Sequence, residues 1–113
     1  MHELWLCKSL LEIIKQKVLE KKCTHVKKIV LEMGSLAAID KAALIFSFNI
    51  VTEGTFAQNA TLEIIDIPGE AFCESCQKLG PVQQYYDACQ ICGSHALNIT
   101  QGEELRVQSM VVE

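Results

Sequence analysis

The stretch CESCQKLGPVQQYYDACQICG, residues 73–93, decides the fold of the second half of the chain. It holds two motifs of identical internal spacing, separated by twelve residues: Cys73-x-x-Cys76 and Cys89-x-x-Cys92. Each motif is a tight turn that aims two sulfurs at one point, and four thiolates are the ligand set of a closed, tetrahedral Zn²⁺ site. The segment between them is long enough for a hairpin return. The spacing therefore predicts a four-Cys zinc ribbon over residues 69–102.

The alternative for these thiols is a pair of disulfides or ordinary buried cysteines. The first residues, MHELWLCKSLLEII, show no basic region before the apolar run and no small-residue cleavage site, so no secretory signal is visible. We therefore expect the cytoplasm, where thiols stay reduced and paired C-x-x-C motifs favour a metal over a bridge framework. No apolar run approaches the roughly 20 residues that span a bilayer.

Composition limits the partners. With 113 residues, 50% of them hydrophobic, the chain can bury one modest core plus a small satellite that depends on its metal. The formal net charge of −4 argues against nucleic acid, because phosphate binding needs a basic stripe. Between Phe72 and Gln101 the only Lys or Arg is Lys78.

Two periodicities organise the rest of the chain. Residues 4–22 carry apolar side chains at helical spacing, which predicts an amphipathic first helix with the apolar face Leu6, Leu10, Ile13, Ile14 and Val18. Residues 26–33 alternate as a strand, with Ile29, Leu31 and Met33 on one face, and Gly34-Ser35 ends it.

A second helix is predicted from the N-cap Asp40 to a stop at Gly54, followed by a strand over residues 60–67. Strand, helix and strand of this length imply a right-handed crossover and a parallel strand pair. A last strand follows Gly102. The predicted fold is α+β: a small three-stranded mixed sheet with two helices, plus an inserted zinc ribbon. The α/β domain would be discontinuous, residues 1–68 completed by 103–113.

The start of the chain, Met1-His2-Glu3, is chemically suggestive as well. A free α-amine, the main-chain nitrogen of residue 2 and Nδ1 of a His at residue 2 can chelate one ion. Glu3 could add a further nitrogen or oxygen, and the sequence leaves open which. Such nitrogen-rich sets suit Ni²⁺ or Cu²⁺ better than Zn²⁺. The alternative is a solvated terminal His with no metal.

These motifs, in this order, resemble the hydrogenase-maturation nickel chaperones of the HypA/HybF family. The resemblance runs from end to end. It rests on the N-terminus and on the two C-x-x-C motifs, each of which is called a knuckle below. Four further pieces agree with it: Leu6-Cys7, Leu31-Glu32-Met33-Gly34, Phe46-Ser47-Phe48 with Gly54-Thr55, and Gly102-Glu103-Glu104-Leu105. Gln90 departs from the pattern, since many relatives have Pro at this position of the second knuckle.

The resemblance implies a non-catalytic metallochaperone. Its nickel ligands would be His2 with the α-amine of Met1 and the adjacent Glu3, and its structural zinc ligands the four knuckle cysteines. It would deliver Ni²⁺ for assembly of the [NiFe]-hydrogenase active site. Its partners would be a maturation GTPase, the hydrogenase large-subunit precursor and, in some bacteria, urease accessory proteins.

The other notable side chains receive structural interpretations. His25 is interpreted as a surface residue and His95, just beyond the second knuckle, as a bystander, because four Cys complete a tetrahedral site. Free Cys7 and Cys23 are interpreted as small hydrophobes. The aromatic residues Trp5, Phe46 and Phe48 are expected in the core.

Two other functions stay in view. One is a zinc-ribbon adaptor module with no nickel role, for which the N-terminus would be replaceable. The other is a thiol oxidoreductase, which needs a C-x-x-C with one exposed Cys of low pKa. Nothing in the sequence resembles a nucleophile with its base, a phosphate-binding glycine loop or a carboxylate pair, so we expect no enzyme activity.

Overall fold

The computed structural model describes residues 2–113, apart from the side chain of His2. This part of the chain contains two α-helices, one short 3-10 turn and six strands. Their bounds are α1 His2–Glu20, β1 Val26–Gly34, the 3-10 turn Ser35–Ala37, α2 Lys41–Val51, β2 Thr61–Ile67, β3 Glu70–Cys73, β4 Leu79–Pro81, β5 Leu97–Gln101 and β6 Leu105–Val112.

The chain forms two compact units. The first contains α1 and the chain that follows it as far as Leu31, the segment Ile39–Ile65 and the segment Arg106–Glu113, and the second contains Glu32–Ala38 and Asp66–Leu105. The expected folding domains, 1–68 with 103–113 and 69–102, stay a prediction, because compactness alone does not show which piece folds by itself.

Helix α1 buries one stripe of side chains at helical spacing. Cys7, Leu10, Ile14 and Val18 are all at most 4% exposed, and the thiol of Cys7 donates to the carbonyl of Leu44 in α2 at 3.3 Å. The interpretation of Cys7 as a buried hydrophobe is therefore confirmed. Ile13 is 51% exposed, contrary to its expected place on this face, because it lies about 100° around the helix from Ile14.

Helix α2 begins as predicted. The carboxylate of its N-cap Asp40 accepts the backbone N–H of Ala43 at 3.0 Å, which satisfies one of the free donors of the first turn. The helix ends earlier than expected, at Val51, and Thr52 provides its C-cap. Gly54 follows with a φ of 77°.

The expected core positions of the aromatic residues need correction. Phe48 is buried, but Trp5 is 72% and Phe46 is 68% exposed. Each of the two lies two residues from a buried neighbour, Cys7 or Leu44, which turns it about 200° away from the packed face of its helix. Apolar character alone did not identify the buried face, because α2 carries apolar side chains around its whole circumference.

The larger sheet is three-stranded and mixed, with the order β2-β1-β6. Ile29, Leu31 and Met33 of the central strand β1 share one buried face and are at most 6% exposed, as the alternation predicts. A central strand is covered by hydrogen-bonding neighbours on both edges, so its alternation decides which face is buried.

The second unit contains a smaller sheet with the order β4-β3-β5, in which both pairings are antiparallel. Its core is a cluster of three buried residues with two partly buried ones packed against it: Leu36, Ala71 and Val82, with Leu97 and Ile99. This core is small, and β3 ends at Cys73, so the sheet leads directly into the first knuckle.

Gly102 is required by its backbone and by its surroundings. Its φ is 108°, and a Cβ on it would lie 2.5 Å from the Cα of Gly69. Its carbonyl also accepts the N–H of Leu36 at 2.8 Å. No L-residue fits this place without moving main chain.

We expect Gly102→Ala to destabilise the second unit by about 2–4 kcal/mol, the sum of a strained backbone and an overpacked contact. Gly80→Ala is the matched control, because a Cβ there meets nothing within 4 Å. Denaturant unfolding followed by hydrogen exchange at β3 and β5 measures the difference. Equal stability of the two variants would show that the close approach is not essential.

Candidate metal centre

The four predicted zinc ligands come together. The sulfurs of Cys73, Cys76, Cys89 and Cys92 all lie within 4.8 Å of one another. The Cys73–Cys92 sulfurs are 3.5 Å apart and the Cys76–Cys89 sulfurs 3.8 Å. Four sulfurs at about 2.3 Å from a tetrahedral zinc ion would be roughly 3.8 Å apart, so the donor set fits this metal in size and chemistry. The pairs are too far apart for disulfides, whose S–S length is about 2.0 Å.

The two knuckles are built by the same backbone bonds. In the first, the N–H of Gln77 donates to the carbonyl of Cys73 at 2.7 Å; in the second, the N–H of Gly93 donates to the carbonyl of Cys89 at 2.8 Å. Both donors have positive φ, 59° at Gln77 and 79° at Gly93. Glycine adopts this conformation readily in the second knuckle, whereas the same turn is made by a non-glycine residue in the first.

A second repeated bond closes each knuckle. The N–H of Cys73 donates to the carbonyl of Lys78 at 3.0 Å, and the N–H of Cys89 donates to that of Ser94 at 2.7 Å. Each N–H lies five residues before its acceptor. The equal spacing in the sequence thus becomes equal main-chain geometry, which presents the two pairs of sulfurs to a common point.

Backbone donors set the electrostatics of the first cysteine in each knuckle. Hydrogen bonding from the backbone of Cys76 lowers the pKa of Cys73. Hydrogen bonding from the backbone of Cys92 and then Ile91 lowers the pKa of Cys89 to about 6, and the N–H of Ile91 lies 3.4 Å from its sulfur. Both knuckles therefore favour a thiolate at their first position, which is the form that binds metal.

The second position of the first knuckle has the opposite tendency. Desolvation, followed by the neighbouring thiols of Cys73 and Cys89, raises the pKa of Cys76 to about 12. Four thiols packed this closely cannot all ionise by themselves, because each new negative charge opposes the next. A divalent cation among them removes this opposition, so the arrangement is suited to a metal.

Side chains that the sequence did not single out connect the two knuckles. Ser75 and Ser94, each two residues after a cysteine, share a hydrogen bond at 2.9 Å. The side-chain amide of Asn98 donates to the carboxylate of Glu74 at 2.7 Å. The sequence shows that each serine follows a cysteine closely, but the pairing of the two serines, like that of Asn98 in β5 with Glu74, depends on the approach of these segments in three dimensions.

The loop between the knuckles is held by polar contacts of its own. The carboxylate of Asp87 accepts the N–H groups of Gln83 and Gln84 at 2.9 and 3.1 Å, and the hydroxyl of Tyr85 donates to Glu103 at 2.7 Å. His95 is exposed, and among the described residues the metal-ligating cluster consists of the four cysteines without it.

Only some of the predicted nickel ligands lie among the residues that the structure describes. Met1 and the side chain of His2 lie outside the described residues, and the backbone of His2 begins α1. Glu3 is half-buried, and its carboxylate accepts the N–H of Asp40, the N-cap of α2, at 3.4 Å. Burial, and then the charge of Glu3, raises the pKa of Cys7 to about 11. The carboxylate of Glu3 therefore lies between the first turn of α1 and the N-cap of α2.

Comparison with known proteins agrees with the order of these motifs. Residues 1–112 match the model of the family described as "HypA: Hydrogenase/urease nickel incorporation, metallochaperone, hypA". This chain belongs to that family. The resemblance inferred from the sequence is confirmed, and the family is one of nickel metallochaperones rather than of enzymes.

Individual HypA proteins match over their full length. The hydrogenase maturation factor HypA of Legionella pneumophila (strain Lens) is 63% identical and that of Acidithiobacillus ferrooxidans (strain ATCC 53993 / BNL-5-31) 42% identical, each over 100% of both chains. The solution structure of the Ni metallochaperone HypA from Helicobacter pylori has a TM-score of 0.74 at 25% identity, covering 97% of this chain and 96% of that one. A further HypA solution structure matches with a TM-score of 0.74 at 27% identity, over 100% and 97% of the two chains.

In the part of the chain that the structure describes, neither helix combines the length and the apolar character that a bilayer crossing needs.

Loss of one thiol tests the cluster as a folding element. We expect Cys73→Ser to cost the second unit at least about 3 kcal/mol, because metal ligation substitutes for the small core there. Hydrogen exchange should accelerate in β3 and β5, while the amides of α1 and α2 keep their protection. The matched control is Cys23→Ser, since Cys23 is half-buried and outside the cluster. Unchanged exchange in β3 would contradict a structural role of the cluster.

Proposed function

We propose that this protein binds Ni²⁺ through its N-terminal residues and delivers it for assembly of the [NiFe]-hydrogenase active site, with Zn²⁺ as a structural ion in the ribbon. The observation that carries the proposal is the match of residues 1–112 to a family whose description is nickel incorporation. The identity of 63% to a hydrogenase maturation factor over both full lengths supports hydrogenase as the client.

The proposed nickel ligands are Met1, through its α-amine, His2 and Glu3. The backbone supports this choice, because α1 begins at His2 and the first N–H groups of a helix have no intrahelical acceptor. An amide nitrogen binds a metal ion only after its proton passes to solvent, and loss of that proton here breaks no hydrogen bond of the helix. Nitrogen-rich sets of this kind suit Ni²⁺.

Glu3 supports the proposal in a second way. Its half-buried carboxylate is held by the backbone N–H of Asp40, so the residue next to His2 does not move freely. A chelate whose last member is fixed loses less conformational entropy on binding. This contact is the described feature that connects the proposed ligand set with the fold.

The proposed zinc role follows from the donor set. Four thiolates leave no coordination position for substrate, and such closed sites are structural. A thiol oxidoreductase would instead need an exposed, reactive Cys that is not committed to metal. Zinc in the ribbon therefore stabilises the second unit, whereas nickel is cargo.

The proposed partners are a maturation GTPase and the hydrogenase large-subunit precursor, in the cytoplasm, with urease accessory proteins where a urease is made. The chain offers no phosphate-binding glycine loop, so nucleotide hydrolysis would be supplied by the partner. The family description names both hydrogenase and urease nickel incorporation, which supports both clients.

One observation favours the adaptor alternative. The second unit exposes four large apolar side chains, each more than half exposed: Leu79, Tyr85, Tyr86 and Ile91. Exposed aromatic residues are frequent in protein interfaces. In an adaptor without a nickel role, however, the N-terminus would be replaceable, and this difference can be measured.

We expect His2→Ala, or a Gly-Ser extension ahead of Met1, to weaken nickel binding on the order of a hundredfold or more, because each removes a ligand from the chelate. One zinc per chain and the hydrogen-exchange pattern should be unchanged. Equilibrium dialysis against Ni²⁺ with metal analysis, on untagged protein, measures both ions. His95→Ala is the matched control, an exposed His outside the proposed site. Full nickel affinity in both N-terminal variants would leave the adaptor as the better account.

A further inference from the structure

The four cysteines of the cluster differ strongly in exposure. Cys73 is 1% and Cys89 is 8% exposed, and Cys76 is half-buried. Cys92 alone of the four is an exposed residue. Cys92 is therefore the residue of the cluster that an oxidant arriving from solvent meets first. Thiolate character and access decide which cysteine is oxidised first, and metal ligation keeps all four as thiolates.

The partner for a second step is already beside it. The sulfur of Cys73 lies 3.5 Å from that of Cys92, the shorter of the two cross-knuckle pairs. Cys73 is at the end of β3, so its position is fixed by the sheet, whereas Cys92 lies in the turn ahead of β5. An accessible cysteine with a second sulfur 3.5 Å away has the arrangement of an attacked and a resolving thiol.

We propose that Cys92 is an oxidative modification site: a hydroperoxide oxidises it, Cys73 resolves it to a disulfide, and the ribbon releases its zinc. The proposal rests on the zinc role given under the proposed function. Its reagent class is a small hydroperoxide, and its product is a Cys73–Cys92 bridge that joins the two knuckles.

The chemistry balances in two steps. The Cys92 thiolate attacks a peroxide oxygen, so an S–O bond forms and the O–O bond breaks; the sulfur loses two electrons, and the leaving hydroxide or alkoxide takes a proton. The Cys73 thiolate then attacks the sulfenic sulfur, so an S–S bond forms and the S–O bond breaks, with hydroxide leaving as water after protonation. With hydrogen peroxide, two thiolates, one peroxide and two protons give one disulfide and two waters.

Loss of zinc follows from the ligand count. The bridge removes two of four thiolates, and a pair of cysteines cannot hold a structural zinc ion in place of four. The other cross-knuckle pair, Cys76 and Cys89, is less suited to oxidation. Cys89 is buried, and its sulfur accepts the N–H of Ile91. A dithiol reductant together with Zn²⁺ should restore the site, because a disulfide is the reversible product of this chemistry.

The experiment uses zinc-loaded, untagged full-length protein treated with hydrogen peroxide. Zinc release is followed with a chromogenic chelator, and the bridge is mapped by digestion at Lys and Arg. Cys73 and Cys76 lie in the peptide 42–78, and Cys89 and Cys92 lie in 79–106, so a cross-knuckle bridge joins two peptides and fragmentation identifies the sulfurs. We expect the Cys73–Cys92 bridge to appear at the rate of zinc release.

The decisive variant is Cys92→His. A His keeps a Cys₃His ligand set for zinc but cannot form the bridge, so zinc release should slow at least roughly tenfold. Cys76→His is the matched control, because it changes the site equally but leaves the Cys73 and Cys92 pair; its zinc release should keep the wild-type rate. Cys23→Ser should change nothing. Labelling of the wild type with limiting iodoacetamide adds a test that needs no variant, since Cys92 should be alkylated first within the cluster.

The outcomes separate the two proposals. Reduced wild-type protein without zinc would refute the structural zinc role itself. Zinc present but retained under peroxide, released with a Cys76–Cys89 bridge, or lost equally fast from Cys92→His would overturn only the assignment of Cys92. A Cys73–Cys92 bridge formed with zinc release, suppressed in Cys92→His alone, supports it.

Discussion

The convergence of four sulfurs within 4.8 Å is the constraint on which the second unit depends. Three buried residues with two partly buried neighbours form its apolar core, and a unit well below roughly 70–80 residues in length usually needs a staple to be stable. In the proposed zinc-bound form, ligation energy would supply the part that burial cannot. The small sheet, the two knuckles and the hydrogen bond between Ser75 and Ser94 together hold the sulfurs close to one point.

The knuckles show how a repeated sequence spacing becomes repeated geometry at some local cost. Both turns need a left-handed residue four positions after the first cysteine, and the second turn has glycine there. The first has Gln77, for which a left-handed backbone costs about 1 kcal/mol. The hydrogen bond that its N–H makes to Cys73 and the ligation that the turn allows offset this cost. The two knuckles therefore share one backbone geometry, although the residue in the second turn adopts the left-handed conformation more readily than the residue in the first.

The sequence predicted those features that depend on local chemistry. The cysteine spacing, the Asp40 cap and the alternation in β1 each act over a few residues, and each agrees with the structure. It misplaced Trp5 and Phe46, because hydrophobicity does not say which side of an apolar helix meets a neighbour. It also gave no sign that Leu36 packs with Ala71 and Val82. Those contacts join residues more than thirty positions apart, and only the folded chain decides them.

The two metal sites of the proposed carrier need opposite properties, and the chain can supply both because it places them in different surroundings. In the proposed carrier, zinc would be held by four thiolates on two closed turns, so its release would open both turns. Nickel would be held at the first turn of α1, where the backbone N–H groups have no intrahelical acceptor, so it could leave without unfolding any element. Glu3 sets the limit on this freedom. Its carboxylate accepts a hydrogen bond at the start of α2, so in the proposed transfer Glu3 is the ligand residue that stays in contact with the rest of the fold.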